Sequence, residues 1–199
     1  ERLGVNFYGS VGPEQSNTVG GVVPGGAGAN ASAKRTVAGA IITFKATSQD
    51  TVILEPYYAN EANANLVAGK AGKNARWNGL GSYLIHDFDD QWSLRLRGEI
   101  FEDAGGARTC TGSIAGTVGS FTGVPGGWNT CAGAVGGVGA GGIAQTLWAT
   151  TYTLQYKPTP SLITRMEFRY DKSNQNVFLN GGDPSNNQET LSFQVVYLF

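Results

Sequence analysis

Charged residues recur at every second position in two stretches of this chain. Arg95, Arg97 and Glu99 form the first set, and Arg165, Glu167, Arg169 and Asp171 the second. A spacing of two matters because successive side chains of a strand point to opposite faces, so each set shares one face. Four guanidinium groups and three carboxylates on a common wall can act in two ways. They can sort passing solutes by charge, or they can bridge one another into a static network that fills a closed interior. Lys45, Glu55 and Arg76 are expected on the same wall. With four cations against three anions in the two main sets, any preference for anions should be weak.

Other residues offer chemistry with less support. Cys110 and Cys131 are the two cysteines, and an even pair outside the cytoplasm reads as a disulfide. Closing a loop of that length would stabilise the fold by roughly 3 kcal/mol. A metal pair lacks further ligands nearby. His86 is the single histidine, followed by Asp87 and on the same strand face as Ser82, which raises a hydrolase reading. No oxyanion-hole pattern accompanies them, and ordinary strand-end roles are favoured. Asp183, among Gly181, Gly182 and Asn186, does not have EF-hand spacing and reads as a solvated turn. Gly136-Gly137-Val138-Gly139 has no strand-to-helix context and no following Lys-Ser/Thr, so it is not a phosphate loop.

The elements that must position the charged sets are strands with one apolar face. Leu162, Thr164, Met166, Phe168 and Tyr170 alternate with the second set, and Trp92, Leu94, Leu96, Gly98 and Ile100 with the first. Six further stretches are read as strands: 3–11, 35–47, 51–61, 76–88, 145–157 and 188–199. Pro56 sits awkwardly within 51–61, because it cannot donate to a ladder. The connections alternate between long and short, so all short turns gather at one end of the sheet. Outer-membrane barrels have that asymmetry. Most strands exceed the usual ~5–6 residues and approach the ~9–11 that cross a bilayer at a tilt. Trp77, Trp92, Trp148, Tyr156, Tyr170 and Tyr197 are expected near strand ends on the apolar face, as an interfacial girdle. A soluble barrel would alternate too, but would place its largest aromatics mid-strand.

Bulk composition agrees. Charged residues make up 15% of the chain, below the roughly 25% of soluble domains. A net charge of −1 gives no electrostatic case for nucleic acid. Of the 30 glycines, 14 lie between Ala104 and Ala144, which reads as one long loop. No apolar run approaches the ~20 residues of a spanning helix. The first residues do not form a signal peptide, so the chain is expected to be a mature form or a piece of a longer one. The expected fold is all-β: an antiparallel transmembrane β-barrel domain over residues 1–199, with about eight strands here and others possible in a larger barrel.

Two stretches carry a resemblance. Leu96-Arg97-Gly98-Glu99-Ile100-Phe101-Glu102-Asp103-Ala104-Gly105-Gly106 resembles a motif of the OmpL-like β-barrel porin family. Arg165-Met166-Glu167-Phe168-Arg169-Tyr170-Asp171-Lys172-Ser173, followed by Phe178, does so as well. The final strand, closing on Phe199, resembles the terminal strand recognised by the outer-membrane assembly machinery. The similarity covers about Arg76 to Phe199 and matches the C-terminal part of longer members. It implies a passive channel for small hydrophilic solutes, without cofactor, in the outer membrane of a Gram-negative-type bacterium. Strand number decides between readings, since eight strands leave an interior just filled by side chains and an aqueous channel needs about 16. The alternative is a small closed barrel of the OmpA/OmpX kind, serving as an anchor or adhesin through its external loops.

Overall fold

The computed structural model describes residues 2–13, 34–64, 70, 73–109, 143–180 and 183–199. Eight long strands dominate: β1 (Leu3–Pro13), β2 (Lys34–Lys45), β3 (Asp50–Glu61), β4 (Ala75–Asp87), β5 (Trp92–Asp103), β6 (Gln145–Thr159), β7 (Leu162–Ser173) and, after a short hairpin, β10 (Asn187–Tyr197). The hairpin pairs β8 (Phe178–Asn180) with β9 (Asp183–Ser185), inside a stretch expected to be plain loop. Each boundary of the long strands falls within two residues of the alternation limits in the sequence.

The long strands form one antiparallel sheet in the order β1-β2-β3-β4-β5-β6-β7-β10. Every strand lies beside its predecessor in the chain, so short connections suffice at one end. Side chains fasten those turns. Thr47 Oγ1 accepts from the backbone N–H groups of Gln49 and Asp50, and Asp89 Oδ1 accepts from those of Gln91 and Trp92. Such local bonds replace ladder bonds that the reversing backbone must give up. Pro56 is accommodated inside β3. The β2–β3 register passes from Gly39↔Tyr57 to Ile42↔Leu54 and omits the two pairs between, so the missing N–H falls in a gap of that ladder.

Burial is inverted relative to a water-soluble sheet. The largest fully buried side chains are Gln155, Asp103 and Ser173. On the other face Leu80, Leu84, Ile100, Trp148, Tyr152, Met166 and Phe168 are all exposed, although their strands lie inside the sheet. The polar face is therefore the concave one. A cavity of about 750 Å³ on it is lined by residues from β3 as well as β10, which requires the sheet to curl.

Tyrosines pack over glycines on this concave face. A methyl group added at Gly79 would lie 2.7 Å from the Tyr57 ring on the neighbouring strand, and Gly39 makes the same room for Tyr8. Gly79→Val should cost about 1–3 kcal/mol through overpacking, read from urea unfolding in lipid vesicles. In a Tyr57→Ala background the penalty should shrink. An equal penalty in both backgrounds would mean the ring is not the obstacle.

Candidate solute-facing wall

Strand register places the charged residues in rows across the concave face. Arg97 on β5 stands level with Thr151 on β6 and Arg169 on β7. One step towards the long loops, Glu99 stands level with Ala149 and Asp171, and on its other side with Gly81 and Glu55. One step towards the short turns, Arg95 is level with Thr153 and Glu167, and through Ile85 and Thr51 with Lys45. Arg165 follows, level with Gln155 and Ser93. Nine of the ten expected wall residues thus share one face. An acidic row of Glu55, Glu99 and Asp171 lies beside a basic zone containing Arg97, Arg169, Arg95, Lys45 and Arg165.

Much of this charge is paired along the strand. Arg97 bonds Glu99 at 2.5 Å, and Arg169 holds Asp171 through both Nε and Nη2 at 2.8–2.9 Å. Residues two apart on a strand lie on one face, so Arg97-Gly98-Glu99 and Arg169-Tyr170-Asp171 each make their own ion pair, whereas Arg165 and Glu167 bond to neutral groups. Neutral groups steady the rest. Arg97 Nε donates to Tyr83 Oη, Thr153 Oγ1 donates to Glu167, and Tyr8 Oη donates to Glu55. Arg165 donates to the side-chain oxygens of Gln155 and Gln194 at 2.9 and 3.0 Å.

A second charged cluster closes the long-loop end. Glu61 is buried and accepts from Arg35 at 2.8 Å and from Arg108. Arg108 lies 3.9 Å above the centre of the Trp77 ring. Burial and nearby Arg35 lower the pKa of Arg108 from the usual arginine range, against the opposing pull of Glu61. Asp103, fully buried, accepts from the backbone N–H groups of Ala107, Arg108 and Thr109 and from the Thr109 hydroxyl. The chain leaving β5 is thereby folded back over the sheet.

A family model described as "Putative beta-barrel porin-2, OmpL-like" matches residues 1–199. The chain belongs to this family. The match takes in residues 2–74, which the resemblance from sequence motifs did not cover. No curated protein and no solved structure shows a significant match. Family membership, with the all-β sheet, makes this a β-barrel porin-type chain and implies a bacterial outer-membrane location.

Two expectations for this OmpL-like chain are corrected by the register. Arg76 is not on the charged wall. Its neighbour Trp77 is level with Asp103 on the concave face, so Arg76 turns outward and pairs there with Glu102 at 3.1 Å. For the same reason Trp77 leaves the expected outward girdle and joins an interior cluster with Ala59, Ala64 and Ala75. Tyr83 goes inward with it. The outward face of β4 carries Leu80, Leu84 and His86 instead. Trp92 and Tyr156 do stand together on the outer face near the short turns, with stacked rings 4.4 Å apart.

Ser82 Oγ donates to the carbonyl oxygen of Gly98, while His86 Nδ1 lies 2.7 Å from Asp50. The two are thus engaged separately. Asp183 begins the short β9 strand. Cys110, Cys131 and Gly136–Gly139 lie outside the described residues. Sequence reasoning did not single out Glu61, Asp103, Arg35, Arg108, Thr151 or Gln155. Thr151 and Gln155 had a signal, since they alternate with the apolar face of β6. Glu61 and Arg108 had none, because their meeting depends on contacts 47 residues apart.

Proposed function

We propose that this chain forms the wall of a passive outer-membrane channel for small hydrophilic solutes. One observation carries the reading: side chains that water would solvate are gathered on the concave face, and those that lipid would solvate are displayed on the convex one. A charge turned to mid-bilayer lipid costs roughly 2–4 kcal/mol, so the side bearing Arg95, Arg97, Glu99, Arg165, Glu167, Arg169 and Asp171 belongs to water. Lys45 and Glu55 extend that lining. The channel works without catalysis or cofactor. The terminal strand, with its exposed alternation of Leu191, Phe193, Val195 and Tyr197 before Phe199, suits recognition by the outer-membrane assembly machinery.

Purified protein added to a planar lipid bilayer should give stepwise increases in conductance. Liposomes carrying it should swell in small sugars. Silent bilayers and unswollen liposomes, with the protein shown to be folded, would replace this reading by a sealed barrel that works through its loops.

A further inference from the structure

The concave cavity has a surplus of positive charge that the wall's own carboxylates do not meet. Arg95, Arg97, Arg165 and Glu167 all line it. Arg97 is discharged by Glu99. Glu167 takes its hydrogen bond from the Thr153 hydroxyl. Arg165 is held by two glutamine oxygens, which orient a guanidinium while leaving its charge intact. Arg95 makes no hydrogen bond or ion pair among the described residues, and its Nε is covered without a partner. The Thr151 hydroxyl, on the same cavity and only 7% exposed, also has none.

We propose that Arg95 and Arg165 form an oxyanion-binding station in the wall, taking the carboxylate or phosphate group of a small solute. The inference rests on the channel reading and gives that channel its solute class. Strands β5 and β7 are two strand spacings apart, roughly 10 Å, so the two guanidinium groups flank a gap with β6 as its floor. Guanidinium groups match oxyanions with paired N–H donors, and such charge-assisted bonds are about twice as strong as neutral ones. Along the strands the station is bounded by the neutralised Arg97–Glu99 and Arg169–Asp171 pairs. Those pairs cannot compete for the anion, and they set the acidic row two steps beyond Arg95. Glu167, level with Arg95, weakens the site enough for an anion to leave again.

The test uses the full chain in planar bilayers under a potassium chloride gradient, with succinate and inorganic phosphate as separate probes. The wild type should prefer chloride over potassium, and millimolar succinate or phosphate should reduce chloride current. Block by one probe alone names the source of the oxyanion. Arg95→Gln with Arg165→Gln should lower the chloride-to-potassium permeability ratio at least threefold and remove the block. Glu167→Gln should deepen the block, and Arg76→Gln, on the outer face, should change neither. Open channels whose selectivity and block survive the double substitution would overturn the station and leave the channel standing. Absence of conductance in the folded wild type would overturn both. If the double variant does not fold, calorimetric titration of the wild type in detergent decides: binding of succinate or phosphate supports the station, and no heat with either overturns it.

Discussion

Phe168→Arg should destabilise the folded protein by about 2–4 kcal/mol in lipid vesicles, the cost of a cation near the bilayer midplane. Phe168 is near the middle of β7, on the convex face, with Tyr152 beside it at 6.4 Å between ring centres. Ser192→Arg provides the matched comparison. Ser192 is on the opposite face and level with Glu167, so a cation there meets water and a carboxylate. Its effect should stay within about 1 kcal/mol, the ordinary range for a partly exposed ion pair. Urea unfolding followed by tryptophan fluorescence measures both. A larger penalty at Ser192 than at Phe168 would reverse the assignment of faces, and the proposed function would go with it.

Asp103→Ala should cost about 2–4 kcal/mol and release the start of the loop after β5. Three backbone N–H groups lose their acceptor, at about 1–3 kcal/mol each if left unmet, and water recovers part of the total. The carboxylate is fully buried, so the alanine also leaves a gap beside Trp77. Limited proteolysis should show faster cleavage near Ala107–Thr109, while β5 itself stays protected. Unchanged cleavage together with unchanged stability would mean that residues 104–109 hold their position without Asp103. Asp103→Asn, which keeps the volume but loses acceptor capacity, should fall between the two.

The strand framework was legible because the environment is two-sided. Charged residues alternate with uncharged ones from Arg95 to Glu99 in β5 and from Arg165 to Asp171 in β7, so parity alone assigned those two sets. Parity failed on β4, where both faces are mixed. Trp77, Tyr83 and Ile85 share a face with Gly79 and Gly81, while the other carries Asn78, Leu80, Ser82, Leu84 and His86. Neither set is clearly polar, and bulk at Trp77 suggested the lipid side. Only the pairing of Trp77 with Asp103 fixes the face, and that pairing is a tertiary fact. The Glu61–Arg108 contact was hidden for the same reason. Arg95 differs from Arg97 in having a cation, not an acid, two residues on, but that Ile85 and Thr153 stand level with it on the neighbouring strands is a tertiary fact.

The outer strands of the sheet impose an arithmetic on any complete ring. β1 climbs from the short turns towards the long connections, and β10 descends. The two rims already run in opposite senses. An alternating circle can therefore be sealed by direct contact of the rims or by an even number of intervening strands, never by an odd one. Bare amide edges are intolerable in hydrocarbon, so a sealed circle is obligatory there. Every widening of the lumen must consequently arrive as whole hairpins, each adding two new columns of inward-facing side chains beside Asn6 and Gln194.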